Sequence, residues 1–147
     1  MIRFLFICLI LIAAPNARAE IIDIENAELA TLSKSGVPVI DVRTAPEWEE
    51  TGVVPGSRLL TYFDERGNAN PDAWLEKVKV FAKPTDPVIV ICRSGNRTKA
   101  VSQFLSKQAG YAKVYNVKHG IREWVKENRP VAPAAPVLAS CRKAKTC

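Results

Sequence analysis

The sequence predicts an α/β domain built on an open, mainly parallel sheet with helices on both faces. Three observations predict it. Short β-rich runs alternate with amphipathic helical stretches from Ile21 onward, the pattern of a parallel sheet with crossover helices. One run, Pro87–Ile91, is apolar at every position, as a central strand covered on both faces must be. Helix-start and helix-stop residues fall between the runs where crossover connections need them.

Taken in order, Ile21–Ile24 and Val37–Val42 read as strands, and Ala27–Lys34 between them as a helix ended by Gly36. Thr44-Ala45-Pro46-Glu47 has the spacing of a capping box, so a short helix runs to about Glu50 and stops at Gly52. Leu59–Tyr62 is the next strand. Asn70 and Pro71 offer a cap and a first-turn proline to a helix whose Trp74, Val78 and Phe81 share one apolar face. After the apolar strand, Ala100, Val101, Phe104, Leu105 and Gln108 mark the buried side of a helix finished by Gly110. Lys113–Val117 is a further strand, and Ile121–Asn128 a last helix carrying Trp124 and Val125 inward. The three tryptophans read as packing residues. From Arg129 to Cys147 the composition turns to Pro and Ala, and Pro130, Pro133 and Pro136 predict a tail without regular structure.

The 147 residues suit one domain, here 20–128, between a leader (1–19) and the tail (129–147). Arg3, the apolar stretch Phe4–Ala14, the break at Pro15-Asn16 and the small-x-small Ala17-Arg18-Ala19 predict a secretory signal peptide with a mature start at Glu20. The apolar stretch is shorter than the roughly 20 residues that span a bilayer, so no stable membrane association is expected after cleavage. Cys8 is removed with it. Export, most simply to a bacterial periplasm, changes the reading of the other cysteines, because thiols that can pair in an oxidising space usually do. Cys141 and Cys147 lie together in the tail and form a candidate disulfide, which leaves Cys92 as the odd thiol. The formal charge of +6, lowered by two when Arg3 and Arg18 leave with the leader, comes from scattered residues and not from a basic run. Nucleic acid is therefore not an expected partner.

The segment richest in chemistry is Val88 to Thr98. It puts Cys92 at the carboxyl end of the apolar strand, where open α/β sheets bind ligands. A loop then leads directly into a helix, and its successive N–H groups together with the helix dipole make an anion cradle. Gly95 permits the tight turn, and Arg93 and Arg97 add positive potential. Such surroundings favour the thiolate, the form that attacks. Thiosulfate, a dianion with an electrophilic outer sulfur, would be drawn to the same cradle that afterwards holds a persulfide anion. Neither a metal nor a cofactor is expected.

These residues resemble the rhodanese family of sulfurtransferases. Asp41-Val42-Arg43 with Glu47-Trp48 and Gly52 resembles the family's early motif, Pro55-Gly56-Ser57 its P-G-A, Cys92–Thr98 its active-site loop, and Asn116 to Trp124 its N-x-x-G-G-x-x-x-W ending. The likeness spans about residues 21–128. It implies a rhodanese-like fold, Cys92 as the sulfur-accepting nucleophile, and a pocket lined by Arg93, Ser94, Gly95, Asn96, Arg97 and Thr98. It also implies thiosulfate as donor, with cyanide or a thiol as acceptor. Asp41 could orient the loop or pair with Arg43 or Arg97, whereas Arg43 and Glu47 read as a structural ion pair. The chain departs from the pattern twice: Val53 stands where the family often has a histidine, and His119, the only histidine, replaces the first glycine of the last motif.

Three other readings use the same residues. A protein phosphatase needs Cys-x5-Arg to grip phosphate bidentately, but Thr98 holds that position and the arginine falls one residue earlier, at Arg97. A thiol redox protein would need a partner for Cys92, which only the tail cysteines could supply. A persulfide carrier or binding module differs only in handing its sulfur to a partner.

Overall fold

The computed structural model describes residues 19–147, so the apolar leader, Cys8 and the Ala17-Arg18 part of the cleavage motif lie outside the described residues. Five parallel strands form one sheet, in the order β1 (Glu20–Ile24), β5 (Lys113–Val117), β4 (Val88–Ile91), β2 (Val39–Asp41) and β3 (Arg58–Leu59). β4 (Val88–Ile91) is central, between β2 (Val39–Asp41) and β5 (Lys113–Val117). Its four side chains are fully buried. Because strand side chains alternate, Val88 and Val90 enter one core while Ile89 and Ile91 enter the other. The first core contains Trp74 and Val78 of α3 (Pro71–Lys79) and Val101 of α4 (Asn96–Gln103). The second contains Leu29 of α1 (Asn26–Lys34), and Ile121 and Trp124 of α5 (Gly120–Lys126). Helices therefore cover both faces, as the apolar strand requires. β1 (Glu20–Ile24) lies at one edge, in register with β5 from Glu20↔Lys113 to Ile24↔Val117.

Local signals place most helix ends. Asn70 accepts a bond from the Ala73 N–H at 3.1 Å and caps α3. The capping box forms at α2 (Ala45–Thr51), with Glu47 Oε2 accepting from the Thr44 N–H at 3.1 Å, and Gly52 ends that helix at φ +75°. Elsewhere tertiary packing overrides the pattern. β3 is only Arg58–Leu59, although Leu60 and Tyr62 continue the ladder through bonds to the carbonyls of Asp41 and Val42.

α4 buries Thr98, Val101 and Ser102, and the turn after it Leu105, whereas Ala100 and Gln108, expected on that face, are exposed. It widens into a π turn, Phe104–Gln108, where the Ala109 N–H reaches the Phe104 carbonyl at 3.0 Å. That extra residue per turn lets Phe104, Leu105 and Ser106 all be buried in succession. On α5, Ile121 and Trp124 at i and i+3 face inward, so Val125 points out and is 44% exposed, contrary to expectation.

The larger correction concerns the tail. Residues expected to lack regular structure form α6 (Ala134–Ala144). Pro133 precedes the helix and Pro136 lies in its first turn, where a missing N–H costs no helical bond. Ala134 and Leu138 cover Trp48 of α2, Val53 and Leu59, closing the sheet edge at β3. Paired bonds between Val53 and Ala132, at 3.0 and 2.8 Å, anchor the approach to α6. Val53, at the family's frequent histidine position, is thus a fully buried part of this packing.

Candidate active site

Cys92 is the first residue past β4 and is buried at 1% exposure. The chain must turn at once from the strand into α4, and it does so through Gly95 at φ +87°, a conformation that disfavours any side chain. A Cβ there would also overlap the Lys118 carbonyl oxygen. The turn brings the Gly95 N–H to 3.1 Å from Cys92 Sγ. The N–H groups of Arg93, Ser94, Asn96 and Arg97 donate to no protein acceptor among the described residues. The Gly95 N–H is the one donor placed against the sulfur; the other four lie along the same loop and the first residues of α4.

Thr98, one turn into α4 and fully buried, lies beneath the sulfur. Its Oγ1 is 3.7 Å from Sγ and donates to the Gly95 carbonyl at 3.0 Å. A hydroxyl has one proton. While Thr98 holds the Gly95 carbonyl it can only accept from a thiol; turned toward a thiolate, it becomes a further donor.

The last motif braces this loop from the α5 side. The Ile121 N–H bonds the Cys92 carbonyl at 2.9 Å, and the Arg122 N–H bonds the Arg93 carbonyl at 3.2 Å. Gly120 makes the approach possible: it has φ +63°, and a Cβ would lie 2.5 Å from the carbonyl oxygens of both Cys92 and Arg93. His119 has φ −109°, which any residue adopts, so the loss of that glycine leaves the brace intact. The His119 side chain is half exposed, with Nε2 3.7 Å from Glu25 Oε2.

One expected pairing forms, Asp41 with Arg43, and the other, Arg43 with Glu47, does not. Arg43 does not form an ion pair with the Glu47 carboxylate; it is fully buried against Asp41, with Nη2 2.7 Å from Oδ2 and Nε 2.9 Å from Oδ1. The rest of its guanidinium donates to the Thr51 hydroxyl and to the carbonyls of Glu47 and Gly52. A buried guanidinium needs all its donors met, and only the end of β2 together with the end of α2 can supply that many acceptors. Glu47 instead turns to Arg97, with Oε2 2.8 Å from Nη1. The Arg97 hydrogen bond holds the Glu47 carboxyl down at about 2, outweighing its partial burial, and the same bond raises Arg97. Arg97 therefore ties the first turn of α4 to α2 and supplies no unpaired cation. Arg93, exposed and facing no carboxylate among the described residues, does. The sequence marks Glu47 as a cap but gives no sign of this second contact fifty residues away. Gly120 is visible only within the family motif.

Beside the loop, a cleft of about 630 Å³ opens between α2 and α5, with Arg93 and Ser94 in its wall. Cys92 itself does not line it. At the far edge of the sheet, Cys141 and Cys147 are joined by a disulfide with Cα atoms 5.3 Å apart, and the Cys147 carbonyl accepts from Lys77 Nζ at 2.8 Å. Cys92 is the only free cysteine among the described residues.

A family model for the rhodanese-like domain matches residues 25–127. "Thiosulfate sulfurtransferase 18" of Arabidopsis thaliana is 30% identical over 126 residues, covering 82% of this chain and 90% of its own. A "Sulfurtransferase" of Allochromatium vinosum is 27% identical, covering 75% and 92%. The crystal structure of a rhodanese-related protein from Thermoplasma volcanium superposes with a TM-score of 0.58 at 31% identity, covering 76% of this chain and 97% of that one. The polysulfide-sulfur transferase homodimer of Wolinella succinogenes, at 21% identity and a TM-score of 0.60, shares the fold, covering 79% and 81%. Sulfur transfer is the chemistry these sulfurtransferase relatives support, and the chain belongs to the rhodanese-like domain family.

Proposed function

We propose that the protein moves the outer sulfur of thiosulfate, through a persulfide on Cys92, to cyanide or a thiol. The observation that carries this reading is the Cys92 loop: a Gly95 N–H 3.1 Å from Sγ, with four further N–H groups of the loop and helix start that meet no protein acceptor among the described residues. The Gly95 donor favours negative charge on the sulfur at every stage. The Cys92 thiolate attacks the outer sulfur of thiosulfate. The S–S bond breaks, sulfite leaves with the electron pair, and the persulfide anion takes the place of the thiolate. In the second step cyanide attacks the terminal sulfur, thiocyanate leaves and the Cys92 thiolate returns. Charge balances in both steps with no outside oxidant.

Support for thiosulfate comes from its charge and from the name of the Arabidopsis thaliana relative. Steady-state thiocyanate production tests the reading. Parallel double-reciprocal lines, from a covalent intermediate, are expected in the wild type, with activity lost in Cys92→Ser. Thiocyanate formation at an unchanged rate in Cys92→Ser would overturn it. A persulfide-bearing protein that transfers to neither cyanide nor small thiols would favour the carrier reading.

We further propose that the chain is exported and begins at Glu20 after processing. The leader's charged start, apolar run and small-x-small end support this, and a tail disulfide suits an oxidising compartment. The N-terminal sequence of protein from a periplasmic fraction tests it; an unprocessed Met1 start in the cytoplasm is the contrary result.

A further inference from the structure

The cleft beside the loop is far larger than a two-atom acceptor such as cyanide needs. Most of its charged groups already have partners: Arg43 has Asp41, Glu47 has Arg97, and Glu123 has Lys126 at 3.1 Å. Arg93 and Arg122 differ. Both are exposed, both line the cleft, and neither meets a carboxylate among the described residues. Their main chains are also held together, since the Arg122 N–H bonds the Arg93 carbonyl at 3.2 Å. Two cations lining one cleft favour an anion bound there. On the α2 wall, Glu50 likewise has no cation partner among the described residues. Val125, 44% exposed, adds an apolar patch to a wall otherwise rich in charge.

We propose that this cleft is the acceptor site for a small thiol of the amino-acid type, its carboxylate held by Arg93 and Arg122 and its ammonium facing Glu50. The inference rests on the sulfur-transfer reading above. In the step it serves, the acceptor thiolate attacks the outer sulfur of the Cys92 persulfide. The S–S bond breaks, its electron pair returns to Cys92 as thiolate, and the acceptor leaves as a persulfide anion. Two negative charges stand on each side, and no other reactant is consumed. Because Arg93 and Ser94 both follow Cys92 and line the cleft, the loop itself connects donor chemistry to acceptor binding.

The test uses the full chain loaded with sulfur and follows single-turnover transfer to four probes: cysteine, 3-mercaptopropionate, cysteamine and 2-mercaptoethanol. Each rate is divided by that for 2-mercaptoethanol in the same variant, so differences in intrinsic thiol reactivity cancel between wild type and variant. Arg122→Gln should lower the ratios for cysteine and 3-mercaptopropionate about fivefold, the worth of a solvent-accessible charge pair at the upper end of its range. Glu50→Gln should lower those for cysteine and cysteamine about two- to fivefold on the same grounds. Ratios unchanged in either variant overturn the proposal while leaving the persulfide chemistry standing. A chain that accepts no sulfur from thiosulfate or polysulfide overturns the sulfur-transfer reading, and this inference with it.

Discussion

Asp41→Asn keeps the shape of the side chain and removes the only carboxylate among the described residues that faces the buried Arg43 guanidinium. The two side chains are 0% and 1% exposed, and the guanidinium points every donor at Asp41, Thr51 or the carbonyls of Glu47 and Gly52. Removing one partner of a buried ion pair leaves an uncompensated charge, at a cost of about 3–5 kcal/mol. That is a large part of the roughly 5–15 kcal/mol expected for a whole domain. Arg43→Met should cost a similar amount, since it strands Asp41 and two carbonyls. The double variant Asp41→Asn/Arg43→Met buries no charge, so its loss should be smaller than the sum of the single losses by about 2 kcal/mol or more. Urea unfolding of the four proteins, read at constant m, gives these differences directly. A loss below about 1 kcal/mol for Asp41→Asn, or additive losses, would refute the claim that mutual neutralisation keeps this pair inside.

Gly95→Ala should abolish sulfur loading, because both φ +87° and the Lys118 carbonyl oppose a Cβ; wild-type loading by this variant would contradict the turn geometry. Glu47→Gln tests the tie between α2 and α4. With the Glu47 carboxyl depressed from 4.5 to about 2, its contribution is complete above pH 4.5 and lost as pH falls through about 2. Both side chains keep some water contact, 18% for Glu47 and 28% for Arg97, so the difference at neutral pH should be about 1–2 kcal/mol, below the full linkage value. Equal destabilisation at pH 7 and pH 2.5 would show that the charge is not its source. Leu138→Ala should cost about 2–4 kcal/mol in urea unfolding if α6 is part of the core, and nearly nothing if the tail is a solvated appendage. Intact mass of the non-reduced protein should rise by about 2 Da on reduction, as expected for one disulfide; no change would mean that Cys141 and Cys147 are free.

How much of this was legible in sequence follows from the range of the forces involved. The Cys92 loop could be read because its features are local: an apolar strand, a glycine turn and a helix start all lie within eleven residues, Val88 to Thr98. The caps at Thr44 and Asn70 are local too, and both form. Arg43 could not be assigned its partner, because a carboxylate two residues before it and another four residues after it compete on equal terms in the sequence. Burial decides, since only the β2 end offers a fully desolvated pair. α6 is hard to see in sequence because the position of a proline, not its presence, decides: in a first turn a proline breaks no bond, and the helix exists because Trp48, Val53 and Leu59 need a cover. The π turn likewise answers the packing of Phe104 to Ser106, which a strict 3.6-residue period does not contain.

The most direct test is the intact mass of the purified protein after thiosulfate treatment, with Cys92→Ser beside it. Wild type should gain about 32 Da, one sulfur atom, removable by cyanide or reductant and never present in the serine variant, as a thiolate nucleophile requires. A wild-type protein with a free Cys92 thiol that stays unmodified, or a serine variant that gains the same mass, would contradict Cys92 as the carrier of sulfur.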